Sequence, residues 1–186
     1  MKFYTKLQDW LAGPFSQKMQ KFMQNPYMHA LQVCFTIILP MIMVGSLASL
    51  VNTFRNFAPW LPDLSLINSF SFGLISIFMA FLIPYTIMES KKLQKQKMIT
   101  GFASVSALIA LANPQYVDGN LVINSGYVGT GGMTVAMVMG LVIGWLFSAY
   151  FKHGLFKKNS SLPSVVVVWF ESILIIFVLI LVCIII

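Results

Sequence analysis

Residues 172–186 read SILIIFVLILVCIII, and fourteen of the fifteen are apolar. No charge flanks them on the far side and no turn residue interrupts them. A soluble fold has no place for such a run, whereas hydrocarbon needs nothing to cover it. Taken back to Ser164, the stretch is 23 residues long. As a helix that is about 34 Å, enough to cross a bilayer core about 30 Å thick. The terminal carboxylate is then expected near the far interface, where water can solvate it.

The rest of the chain has the same character. Of 186 residues, 58% are apolar and 9% charged, with a mean hydropathy of +0.83. Soluble domains carry about 25% charged residues, so too little charge is present here to clothe a water-facing surface. The expected class is an all-α integral membrane protein. The net charge of +7 does not point to nucleic acid, because the basic residues sit in short blocks between apolar runs. Cys34 and Cys183 have no metal-ligand spacing, and no disulfide is expected between them.

Four further apolar runs precede Ser164–Ile186: His29–Val51, Phe70–Met88, the short Met98–Ala112, and Gly131–Phe151. Lysine and arginine between them alternate sharply. Residues 1–28 hold four, 52–69 hold Arg55 alone, 89–97 hold four, 113–130 hold none and 152–163 hold three. Eleven therefore fall on one side and one on the other. Basic residues stay cytoplasmic, which predicts five transmembrane helices, N-terminus inside and C-terminus outside. The alternation also argues for the short third run as a span.

Residues 1–28 lack the apolar core and cleavage site of a signal peptide. Phe3, Leu7, Leu11, Phe15, Met19 and Met23 recur every fourth position, with Trp10 and Phe22 beside them and lysines off the stripe. This predicts a cytoplasmic amphipathic segment, an interfacial helix on the inner leaflet, broken at Gly13-Pro14. Residues 29–186 form the five-span membrane domain. The stretches 52–69 and 113–130 are expected as external loops. SGYVGTGGM (125–133) is glycine-rich but lacks the Lys-Ser/Thr ending of a phosphate loop, and is expected as a flexible loop feeding the fourth span.

The fourth span carries Gly132, Ala136, Gly140, Gly144 and Ser148, a small residue at every fourth position. Such a stripe lets another helix approach closely, either from the same chain or from a second copy in a dimer. Glu171 is the one ionisable residue well inside a span. It is a candidate intramembrane polar site, lining a pathway or pairing with another subunit; the plainer reading is a protonated carboxyl bonded to a backbone carbonyl. Pro40 and Pro84 interrupt the first two spans and predict kinks. No nucleophile–base pair, carboxylate dyad, metal cluster or cofactor motif is visible, so no catalytic residue, metal or cofactor is expected.

Residues 14–54, PFSQKMQKFMQNPYMHALQVCFTIILPMIMVGSLASLVNTF, resemble the start of membrane IIC components of the lactose/cellobiose family of the bacterial phosphotransferase system. Pro14 and Lys18, then Asn25, Tyr27 and Ala30, then Pro40, Val44, Gly45 and Ser46 fall on the family's pattern. Residues 73–111 look like that family's second and third spans with their basic connector, and 162–175 look like the opening of its fifth. An Arg common in that last stretch falls at Val168 here, and Glu171 stands at a small-residue position, so no role is carried over to that helix.

Family members are about twice this length, and the chain resembles their first half, a five-span dimerisation domain. The resemblance implies a scaffold module of a sugar permease in a bacterial inner (plasma) membrane. Its expected partners are the lipid bilayer, a second copy or a separate IIC-like half, and a cytoplasmic IIB-type protein that does the phosphoryl chemistry. No sugar-binding residue can be carried over. The alternative is a non-transporting regulatory or interaction protein that reuses the scaffold; a homodimer that transports by itself is a third reading.

Overall fold

The computed structural model describes residues 13, 16–153 and 164–185. It is a mostly helical bundle. A short helix α1 (Ser16–Met23) leads into α2 (Pro26–Arg55). The next rod is made of α3 (Ser65–Ser71), a 3-10 turn (Phe72–Leu74) and α4 (Ile75–Ser90). Then come α5 (Lys97–Leu111), a two-stranded hairpin of β1 (Gln115–Val117) and β2 (Asn120–Val122), a one-turn α6 (Ser125–Val128), a second 3-10 turn (Thr130–Gly132), α7 (Met133–His153) and α8 (Ser164–Ile185). Nearly all the described residues of the five apolar runs are thus helical. Among the described residues three helical stretches are long and apolar enough to cross a membrane: Pro26–Arg55, Ser65–Ser90 and Thr130–Lys152.

α2 starts where its sequence dictates. The Asn25 side chain accepts from the Tyr27 backbone N–H at 3.1 Å, and Pro26 occupies a first-turn position where no N–H is needed. The helix runs 30 residues, about 45 Å. Its buried positions are Ala30, Cys34, Ile38, Gly45 and Ala48, a narrow stripe of mostly small side chains. Around it Phe35, Leu39, Met43, Leu47, Leu50 and Phe54 stand exposed. An apolar surface this continuous is foreign to soluble monomers and suits contact with lipid tails. α2 passes unbroken through Pro40, which is exposed.

The centre of the bundle is α4. Ile75, Met79, Ala80, Ile83, Pro84, Ile87 and Met88 are buried there, and α2, α5 and α7 all pack on it. One core cluster joins Ala30, Cys34 and Ile38 of α2 to Met79, Ile83 and Ile87 of α4 and to Ala136 of α7. A second joins Met88 to Ala103 and Ala107 of α5, Phe147 of α7 and Ile175 of α8. Three glycines allow this density. A Cβ at Gly45 would lie 2.9 Å from the Phe72 ring, one at Gly101 2.7 Å from the Phe81 ring, and one at Gly144 2.6 Å from Ile87 Cδ1.

Two stretches depart from expectation. The second apolar run is not one continuous helix, because the 3-10 turn at Phe72–Leu74 divides it. Residues 113–130, expected as open loop, contain a hairpin and a helical turn. Asp118 (φ 51°) and Gly119 (φ 78°) are both left-handed, the backbone a tight hairpin turn requires. The glycine-rich stretch is packed rather than loose. Val128, Gly129 and Gly132 are buried, Ser76 Oγ on α4 donates to the Gly129 carbonyl, and a Cβ at Gly132 would fall on the Tyr127 carbonyl oxygen.

The amphipathic stripe from Phe3 to Phe15 lies outside the described residues. Of the same stripe, Met19 and Met23 are exposed on α1. Glu171 lies on α8, and its side chain is outside the described ones.

Candidate functional site

The small-residue stripe of α7 faces α4 of the same chain. A Cβ at Gly140 would lie 3.0 Å from Ile83 Cβ and 3.3 Å from Pro84 Cδ, and one at Gly144 3.3 Å from Pro84 Cα. Pro84 is buried, and it shares the space that the glycines leave with the side chains of Ile83 and Ile87. Ala136 and Ser148 are buried on the same stripe. Gly132, at the other end, packs on the Tyr127 carbonyl and on Ser76 of α4. A second copy would therefore have to meet the bundle through another surface.

This close approach carries the end of α4 to the end of α7. Lys91 caps the C-terminus of α4. Its Nζ donates to Ser148 Oγ on α7 at 2.7 Å and to the Tyr27 hydroxyl on the first turn of α2, also at 2.7 Å. It stands 4.6 Å from the Tyr27 ring centroid. Three helix ends, distant in sequence, are joined through one ammonium group.

The turn after α4 fixes where Lys91 points from. Lys92 is left-handed (φ 61°), and the Leu93 N–H donates to the Met88 carbonyl at 2.9 Å. This is the closed C-terminal turn in which a residue just past the helix takes the left-handed conformation.

Polar valences around Lys91 can be followed one by one. Ser148 Oγ gives its proton to the Trp145 carbonyl at 2.9 Å, so it receives the lysine on a lone pair. The Tyr27 oxygen likewise receives. Within 4 Å of Lys91 no carboxylate is found among the described residues. The nearest acid along the chain, Glu89, pairs with Lys97 at 2.7 Å, and Lys97 also stands 4.7 Å from the Tyr85 ring centroid. Beside Lys91 a cavity of about 470 Å³ opens, lined by Tyr27, Lys91, Leu93, Trp145, Ser148 and Lys152 among others.

At the opposite end a cavity of about 610 Å³ lies between Asn68, Phe72 and Ile77 and the glycines 126, 129 and 131. Its lining holds the Asn68 amide, Ser69, Thr130 and backbone groups, and no charged side chain. At that end Arg55 Nη1 meets Asp63 Oδ2 at 2.9 Å, Asp63 Oδ1 accepts from the Ser65 N–H at 2.9 Å, and Asn52 Oδ1 accepts from the Leu64 N–H at 2.9 Å. The backbone N–H of Ser65, then its hydroxyl and the Arg55 guanidinium, hold the Asp63 carboxyl below the usual aspartate value.

The stripe is visible in the sequence, but this cluster is not. There Lys91 is one of four connector charges, and Tyr27 is one residue of a family-like pattern. Among the described residues no group of three His, Cys, Asp or Glu side chains could hold a metal. Comparison with protein-family models, with curated proteins and with solved structures finds no match.

Proposed function

We propose that the chain is a five-span membrane scaffold, N-terminus inside and C-terminus outside, serving a phosphotransferase-type sugar permease in a bacterial inner membrane. The lysine-rich segments 89–97 and 152–163 then lie in the cytoplasm with the N-terminus. Arg55, Asp63 and the hairpin lie outside. No sugar-binding role is assigned to residues 1–186, and a IIB-type protein would supply the phosphoryl chemistry.

The observation that carries this reading is where the pattern residues of 14–54 sit. Asn25 caps α2, Ala30 is fully buried, and Gly45 gives α2 its close contact with Phe72. These three are joints of the bundle, as expected of scaffold residues, while Pro40, Val44 and Ser46 of the same pattern are exposed on the outer face of α2. Support also comes from the three helical stretches long and apolar enough to cross a membrane.

Purifying the chain from its native membrane tests the proposal. A second IIC-like polypeptide or a IIB-type protein should accompany it; recovery of neither contradicts it. Deleting the gene separates the two leading readings. Loss of uptake of one sugar favours the scaffold, and altered regulation with uptake intact favours the non-transporting interaction protein.

A further inference from the structure

We propose that the cavity beside Lys91 is a binding site for a phosphate-bearing anion. The inference stands on the chemistry of the cavity wall and does not need the permease reading.

Lys91 has three N–H donors, and two are used on Tyr27 and Ser148. Each of those two hydroxyls receives the same lysine on a lone pair, and the Ser148 proton is committed to the Trp145 carbonyl. The donors that the wall still offers are the third Lys91 N–H and the Tyr27 hydroxyl proton, for which no acceptor exists among the described residues. The second lining cation, Lys152, is exposed at the rim. The lining contains two ammonium groups and no carboxylate.

A wall of that kind is completed by a ligand that brings negative charge and several acceptor oxygens. A tetrahedral phosphate oxyanion does both, and charge-assisted hydrogen bonds to it are the strong kind. The ends of transmembrane helices are where basic pockets meet headgroup phosphates. Lys91 does not serve merely to neutralise the carbonyl end of α4, because its ammonium bonds to hydroxyls on two other helices. Lys97 shows the contrasting arrangement: its charge is answered by Glu89 at 2.7 Å.

The phosphate could belong to an anionic lipid headgroup or to a free phosphate compound, and the experiment separates these sources. The purified full chain is titrated with inorganic phosphate in detergent, and in parallel with phosphatidylglycerol in phosphatidylcholine nanodiscs, following thermal unfolding. Saturable stabilisation is expected with at least one probe. Stabilisation by phosphatidylglycerol alone assigns the site to a lipid headgroup; stabilisation by inorganic phosphate as well assigns it to a soluble anion.

Lys91→Gln should weaken binding by about tenfold or more. Lys92→Gln removes the same charge one residue away, outside the lining, and should bind as the wild type does. Where Lys91→Gln fails to fold, Lys152→Gln takes its place, since Lys152 makes none of the bonds that join the helices, and weakening is expected there too. Absence of saturable stabilisation by either probe overturns the proposal. So does equal weakening by Lys92→Gln, which would mean general attraction to a basic surface.

Discussion

Gly144 stands so close to Ile87 that a Cβ on it would lie 2.6 Å from Ile87 Cδ1 and 3.3 Å from Ile87 Cβ. The first contact can yield, because it is the tip of a flexible side chain. The Pro84 Cα, also 3.3 Å away, belongs to the backbone and yields less. Gly144→Ala should therefore cost about 1–3 kcal/mol, the usual range for overpacking. Gly144→Leu should force α4 and α7 apart and cost more. Unfolding in detergent measures both, and an unchanged Gly144→Leu protein would refute the packing described.

Gly101 and Phe81 form a second such joint. A Cβ at Gly101 would lie 2.7 Å from the Phe81 ring, and that ring meets Phe102 edge-on with centroids 5.2 Å apart. Gly101→Ala should destabilise by displacing Phe81. Adding Phe81→Leu should recover part of the loss. A double-mutant cycle on unfolding free energy is expected to show coupling of at least about 0.5 kcal/mol; additivity would contradict it.

The turn between α2 and α3 should respond to acid. Because the folded Asp63 pKa lies below the ordinary aspartate value, the clasp with Ser65 and Arg55 contributes fully at neutral pH. Its contribution is lost as pH falls through that lowered folded value. Protection of the Ser65 amide, its exchange rate relative to the intrinsic rate at the same pH, should fall only in this acid range, and Asp63→Ala should show lowered protection already at neutral pH. Protection that is insensitive to both changes would contradict the clasp.

Lys92 holds a left-handed backbone that glycine adopts without a steric penalty. Lys92→Gly should stabilise the protein by up to about 1 kcal/mol, the cost relieved at such a position. Thermal unfolding in detergent checks this; destabilisation would mean that the closed turn after α4 is not formed.

The helices and their approximate ends are legible in the sequence because each apolar run is long and bounded by polar or turn residues. The α7 stripe is legible too, since five small residues at spacing four signal a close helix contact. Which helix it meets is not, because that depends on the rotation of α4 about its own axis. α4 is apolar nearly all round, so its sequence carries no marked face. The hairpin has a signature that the expectation of an open loop passes over: Asp118-Gly119 stands between Tyr116-Val117 and Asn120-Leu121-Val122. The turn residues alone suggest a loop; the β-formers on both sides make it a hairpin. The 3-10 break at Phe72–Leu74 leaves no such mark beyond Gly73. The Lys91 cluster is hidden for a plain reason: its members are separated by 64 and 57 residues, and only the packing of three helices brings them together.

Thiol labelling tests the central claim of a five-span, inward-basic bundle most directly. In a chain with Cys34→Ala and Cys183→Ala, single cysteines are placed at Asp118 in the hairpin and at Gln94 in the basic connector. In intact cells a membrane-impermeant maleimide is expected to label position 118, and to label position 94 only after the membrane is opened. Labelling of position 94 from outside, or of both positions from one side, would contradict the account.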